Sequence, residues 1–218
     1  MLKKIIFSLQ LIIISFSISY ANDTDNEIVI GTKFTIHSDI LDEDRKIWLQ
    51  LPPNYTPDGN HPVLYILDGD RSFNYISGML DQLYQNGKTP PMILVAILNT
   101  DRNRDLTPTN TSIAADGITV PFLKSTGGGD NFLQFLRTEL KTYIEANYTP
   151  SKFRIFAGHS LGGLLTTYAF LTDPEYFNAF IAIDPSYWWD NGYINNLLIQ
   201  KKTGKTGNKK YTLYVNGQ

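Results

Sequence analysis

Residues 158–163 read Gly-His-Ser-Leu-Gly-Gly, directly after the apolar run Phe153–Ala157 and directly before the helix-period stretch Leu161–Leu171. A chain with 16 glycines and 12 serines produces a G-x-S-x-G pattern about 0.06 times by chance, and the strand-turn-helix setting makes coincidence rarer still. The residue types fit a sharp turn. A serine there takes a strained backbone, large neighbours two positions away would crowd it, and its hydroxyl is lifted above the end of a sheet. Such a turn needs a strand that ends at a site and a helix that starts there, which constrains the whole architecture.

The rest of the chain agrees with that demand. Glu27–His37 and Arg45–Leu51 alternate apolar and polar residues, as half-buried strands of an antiparallel pair do. The later runs Pro62–Asp68, Met92–Leu98, Phe153–Gly158, Ala179–Asp184 and Tyr211–Val215 are short and nearly continuously apolar, the pattern of strands buried on both faces. Helical spacing puts Ile76, Leu80 and Leu83 on one face, and likewise Phe132, Leu136, Leu140, Tyr143 and Ile144. Strands alternating with helices after an opening antiparallel pair predict an α/β fold: a mostly parallel sheet with helices on both faces. No internal repeat or low-complexity linker interrupts it, so a single domain is expected.

The segment Asp101–Asp130 has no clear periodicity and is long for a loop in a compact domain. Its Gly127-Gly128-Gly129 lacks the spacing and the preceding strand of a phosphate cradle. Asp130 is expected to cap the following helix.

Composition excludes several classes. At 42% hydrophobic and 18% charged residues, with a formal net charge of -2, the chain is not of the disordered type. With no cysteine, a disulfide scaffold, a thiolate metal site and a cysteine nucleophile are unavailable. The 19 basic against 21 acidic residues leave no broad electrostatic footprint, so no nucleic-acid partner is expected. Three histidines without metal-ligand spacing predict no metal, and nothing calls for a cofactor.

Residues 1–21 are predicted to be a signal peptide: Lys3 and Lys4, an apolar run Ile5–Ile18, and small residues at Ser19 and Ala21 where a signal peptidase cuts. The alternative, an uncleaved anchor, asks for a longer run. Residues 22–218 would then be a periplasmic or secreted domain with no stable membrane anchor.

The chemistry centres on Ser160 as nucleophile. The N–H of Leu161, at the positive end of the helix, is placed to receive a developing oxyanion. A second donor is expected after the third strand, from the backbone N–H of Asp70 or, second, of Gly69. The carboxylates of Asp68 and Asp70 read as turn-forming and capping groups.

Five separated segments, Leu51–Tyr55 (LPPNY), Pro62–Asp70 (PVLYILDGD), Asp101–Thr109 (DRNRDLTPT), Gly158–Leu164 (GHSLGGL) and Asp184–Asp190 (DPSYWWD), resemble the esterase-D-like group of α/β-hydrolases. Within it they look most like the siderophore esterases that open ferric catecholate trilactones. The resemblance implies the α/β-hydrolase fold and a serine esterase with nucleophile Ser160 and oxyanion donors Leu161 and Asp70. Arg102, Arg104, Trp188 and Trp189 would be substrate-side residues. Arginines suit an anionic ferric complex and indole faces suit aromatic rings. Arginines that pair with Asp101 and Asp105, and tryptophans in the core, are the alternative. The implied partner is a small-molecule ester, for instance a ferric siderophore.

In this fold an acid and then a histidine follow the serine along the chain. Here the last strand, its histidine and the closing helix are absent after Val215, so the domain reads as C-terminally incomplete, with an unpaired sheet edge and weak catalysis as printed. His37 and His61 belong to early strands and His159 is part of the turn; Asp184 and Asp190 lie where some hydrolases carry the acid. Two further readings stay open: a non-catalytic pseudo-hydrolase that binds a ligand in the same cleft, and a carbohydrate esterase removing feruloyl or acetyl groups.

Overall fold

The computed structural model describes residues 27–113, 119, 125–202 and 212–216. The expected signal peptide, residues 1–21, and Tyr211 lie outside them. Seven strands form one sheet: β1 (Thr32–Ser38), β2 (Glu43–Gln50), β3 (Val63–Ile66), β4 (Ile93–Ile97), β5 (Arg154–His159), β6 (Ala179–Ile183) and β7 (Thr212–Asn216), in the order β1-β2-β4-β3-β5-β6-β7. β1 pairs antiparallel with β2 and β2 with β4; every pair from β4 to β7 is parallel. The expected opening pair and parallel sheet are present. β1 begins at Thr32 rather than Glu27, and Ile28, ahead of it, is 95% exposed.

β3 and β4 are buried on both faces, as their unbroken apolar runs require. Leu64, Ile66, Leu94 and Ala96 point to one side, where α1 (Gly69–Gln85) lays down Phe73 and Leu80. Val63, Tyr65, Ile93 and Val95 point to the other, where they meet α3 (Gly129–Phe135), α4 (Lys141–Tyr148) and α5 (Leu161–Thr172) in the larger core. α5 is buried nearly all round, which explains why its sequence is apolar without a stripe.

The spacing of Phe132, Leu136, Leu140 and Ile144 is four residues each time, which drifts off the face of a regular helix. The backbone absorbs the drift with a π-helical turn at Leu136–Leu140, between α3 and α4, and all four side chains stay at most 1% exposed. The same turn aims Glu139 at the β1–β2 connection, where it accepts from Asp39 N, Ile40 N and Ser38 Oγ.

Of the segment Asp101–Asp130 the described residues are 101–113, 119 and 125–130. It opens with the short helix α2 (Arg102–Leu106), capped by the Asp101 side chain at Arg104 N. The three glycines let the backbone cross α2 closely: a Cβ on Gly128 would lie 2.7 Å from Arg104 Cγ, and one on Gly129 2.9 Å from Thr107 O. Their N–H groups are taken by Thr107 Oγ1, Arg104 O and Thr107 O. Asp130 is not the cap. It sits in the first turn of α3, where a carboxylate suits the helix dipole, and accepts from Tyr168 OH.

The chain runs from β3 to β4 on one side and then places β5 on the other side of β3. This reversal opens a crevice at the carboxyl ends of β3 and β5, the usual ligand position in open α/β sheets. At the far side β7 is the edge strand among the described residues, with Tyr214 and Val215 exposed.

Candidate active site

Ser160 connects β5 to α5 at φ 57° and ψ −117°, strained for a residue with a side chain. The surroundings hold it there. Ser160 N donates to Ile183 O at 3.0 Å, while Ser160 O accepts from Leu164 N at 2.9 Å and Ser186 N at 3.1 Å. The flanking glycines are not equivalent. A Cβ on Gly158 would lie 2.4 Å from the backbone of Gly162, and one on Gly163 would lie 3.0 Å from Pro185 Cα. One on Gly162 would meet nothing closer than 3.4 Å. Crowding therefore explains Gly158 and Gly163 but not Gly162.

Leu161 opens α5, and among the described residues its N–H has no protein acceptor. The same holds for Gly69 and Asp70, the first two residues of α1, as helix geometry requires. Gly69 lets α1 start hard against β4: a Cβ there would lie 3.0 Å from Ala96 and from Ile97 O. Both groups of donors sit at the crevice between β3 and β5.

Asp68 makes the turn from β3 into α1 in the left-handed region, φ 53° and ψ 43°. Its carboxylate does not cap the helix. Arg102 grips it with two bonds, Nε to Oδ1 at 2.6 Å and Nη2 to Oδ2 at 2.9 Å, and Asn99 Nδ2 adds a third at 2.7 Å. Arg102 thus pairs with neither Asp101 nor Asp105. Its guanidinium still borders a cleft beside the elbow that Asp68, Arg71, Tyr75, His159 and Ile183 also line.

Arg104 is tied elsewhere, to Glu43 and Asp105, and Arg45 beneath it donates to the same two carboxylates. Arg45 and Asp105 are each 1% exposed, so this is a buried network fastening α2 to β2. Burial pushes the Glu43 carboxyl up, yet the hydrogen bonds from Arg104 and Arg45 outweigh it and leave it below the ordinary range. The Glu43 hydrogen bond holds Arg104 above its usual value, against burial.

The two tryptophans part company. Trp188 is 51% exposed, whereas Trp189 is fully buried and donates its indole N–H to Thr109 Oγ1 at 2.9 Å. α6 (Trp189–Lys202) is broken just after it, at Asp190, Asn191 and Gly192, all with positive φ. Asp184 also has positive φ and is exposed, and neither it nor Asp190 bonds a histidine among the described residues.

His37 lies on β1 with Nδ1 2.9 Å from Asp44 Oδ1, about four strand spacings or roughly 19 Å from β5. His61 precedes β3, and its carbonyl accepts from Ser151 N, at the opposite end of β5 from Ser160, on the order of 20 Å away. Its Nδ1 donates to Pro91 O. His159 is exposed at the end of β5. Ser160 Oγ instead meets the hydroxyl of Ser186 at 3.1 Å, a residue the motif contains but whose role its sequence does not announce.

Residues 38–213 match the model of a family described as "Putative esterase". The protein YbbA of Bacillus subtilis is 30% identical over 152 residues, covering 68% of this chain and 59% of that protein. Ferri-bacillibactin esterase BesA of the same organism is 32% identical over 164 residues, covering 68% of this chain and 55% of its own. The chain therefore spans little more than half the length of these relatives. Among solved structures, an IroE-like serine hydrolase from Shewanella oneidensis superposes with a TM-score of 0.79 at 33% identity, over 85% of this chain and 60% of that one. A match of this extent to the family, on a sheet order and elbow that agree with an α/β-hydrolase fold, makes the chain a member of the putative esterase family.

Proposed function

We propose that this chain carries the nucleophile and oxyanion donors of an exported serine esterase that opens the ester bonds of a siderophore. The observation that carries the reading is the strained conformation of Ser160 at the crevice between β3 and β5, with N–H groups at the heads of α1 and α5 that find no acceptor among the described residues. Relatives named as siderophore esterases, BesA among them, support the substrate class. Export is supported by the pattern from Lys3 to Ala21.

In the proposed reaction Ser160 Oγ attacks the ester carbonyl carbon and gives up its proton. The carbonyl oxygen becomes an anion held by the N–H groups of Leu161 and Asp70, each such donor contributing roughly 3 kcal/mol. Collapse breaks the bond to the alcohol oxygen, which takes a proton and leaves. Water then attacks the acyl-serine, releasing the carboxylic acid and restoring the hydroxyl. The base for the Oγ proton must lie within hydrogen-bond reach, which His37 and His61 do not. In this reading the proton passes to a general base or to water within that reach. Arg102 and Trp188 are the substrate-side residues in this reading. Arg104 is spent on Glu43 and Asp105 and Trp189 lies in the core, so neither is assigned to substrate.

The Ser160–Ser186 contact, with no imidazole at Oγ among the described residues, is the observation that favours a second reading, a binding protein without catalysis. The experiment incubates the protein and its Ser160→Ala variant with a fluorophosphonate and, separately, with a ferric catecholate trilactone and a feruloyl ester. Labelling confined to Ser160 and cleavage of the trilactone support the esterase. Tight binding of the trilactone with neither labelling nor cleavage supports the binding protein instead. Preferred cleavage of the feruloyl ester moves the substrate class to carbohydrate esters.

A further inference from the structure

The segment that follows β6 wraps the elbow from behind. Ile183 O and Ser186 N already bond the main chain of Ser160, and Pro185 abuts Gly163. The backbone of the nucleophile is thus locked without any help from the Ser186 side chain. That side chain nonetheless lies 3.1 Å from Ser160 Oγ, on a residue only 3% exposed. A buried hydroxyl needs a partner, and among the described residues this one finds it on Ser160.

We propose that Ser186 is a positioning residue for the nucleophile, its hydroxyl donating to Ser160 Oγ and fixing that oxygen's orientation; the inference rests on reading Ser160 as the nucleophile. Two consequences follow from the geometry. Ser160 Oγ is restrained to the rotamer that keeps the contact, because leaving it would strand the Ser186 hydroxyl. With one lone pair of Oγ occupied by the Ser186 proton, Ser160's own proton points away from Ser186. The donated bond also stabilises the charge that builds on Oγ as that proton leaves.

The test measures phosphonylation of the full chain by a fluorophosphonate, followed by intact mass over a range of probe concentrations. Oγ attacks phosphorus, the P–F bond breaks, fluoride leaves and the Oγ proton passes to water. In Ser186→Ala the maximal labelling rate is expected to fall about five- to tenfold, the loss of one neutral hydrogen bond. Probe affinity and melting temperature stay put, so the loss lies in the maximal rate alone. Ser186→Cys, which keeps a weaker donor, falls between the two. Equal rates in wild type and Ser186→Ala, with Ser160 labelled in both, overturn the positioning role and leave the nucleophile intact. A rate that falls only with the melting temperature, or that Ser186→Cys does not partly restore, reduces Ser186 to a packing residue and also overturns it. No labelling of Ser160 in any of the proteins overturns the nucleophile and this inference together.

Discussion

Arg102 and Asp68 form a two-bond ion pair, at 2.6 and 2.9 Å, across the turn that leads from β3 into α1. Asp68 holds the left-handed conformation that aims the first N–H groups of α1 at the crevice, so the pair acts on the geometry of the oxyanion donors as well as on charge. In Arg102→Ala a nearly buried carboxylate keeps only Asn99 as a side-chain partner. Arg102 is itself a quarter exposed, so the expected loss is about 1–3 kcal/mol, below that of a fully buried pair. Urea unfolding measures it. Arg102→Lys, which cannot grip both oxygens, should recover less than half of the loss.

The unequal glycines of the elbow make a sharper test. Gly158→Ala puts a methyl 2.4 Å from the Gly162 backbone, which has no flexible end to move aside, and about 3 kcal/mol or more should be lost. Gly162→Ala meets only ordinary contacts inside the first turn of α5, and should change stability by no more than about 1 kcal/mol in either direction. Thermal melts of the two variants side by side decide it. Similar losses would mean that the turn tolerates or rejects bulk as a whole.

The difference between those glycines illustrates what the sequence discloses. The elbow itself is legible because its signal is local: an apolar strand, a glycine-flanked serine and a helix lie within about twenty residues. The strands are legible because buried parallel strands must be apolar on both faces. Contacts between distant segments are not. Arg102 finds Asp68 only because β4 lies beside β3, and Ser186 finds Ser160 only because β6 lies beside β5. Pairing of acids with arginines close in sequence suggests Asp101 and Asp105 as partners. The fold instead gives Arg102 an acid 34 residues earlier and Arg104 one 61 residues earlier, besides its neighbour Asp105. Spacing by fours along Phe132–Ile144 marks a helix, but it takes the core on one side to turn that drift into a π-helical turn.

His37, which lies far from the elbow, has a titration that can be followed by itself. The hydrogen bond from His37 Nδ1 to the Asp44 carboxylate raises its pKa above 6.5, assisted by the charges of Asp44, Asp39 and Asp42 and opposed by desolvation. Protonation therefore favours the folded state. The contribution is complete below the ordinary histidine value and is lost as pH rises through the raised midpoint. Because the ring is exposed, salt should weaken the effect. NMR of the His37 ring should show a midpoint above 6.5 that drops in Asp44→Asn and with added salt; a midpoint unmoved by Asp44→Asn would remove the pair as its cause.

Trp188 and Trp189 are neighbours with opposite burdens, and only one of them can meet a ligand without rearrangement. Trp189 is fully buried and hydrogen-bonded to Thr109, so Trp189→Ala should cost about 3–5 kcal/mol through cavity formation and a stranded hydroxyl. Trp188→Ala should leave stability within about 0.5 kcal/mol, since half of its surface is already in water. In a Trp48→Phe background the two indoles are the remaining tryptophans of the chain. Acrylamide should then quench one emission component strongly and the other weakly, and Trp188→Ala should delete the quenched one. A ferric catecholate that binds beside Trp188 should shield this component from acrylamide. Shielding of the other component instead would mean that the segment 188–192 opens on binding and that Trp189, not Trp188, forms the wall.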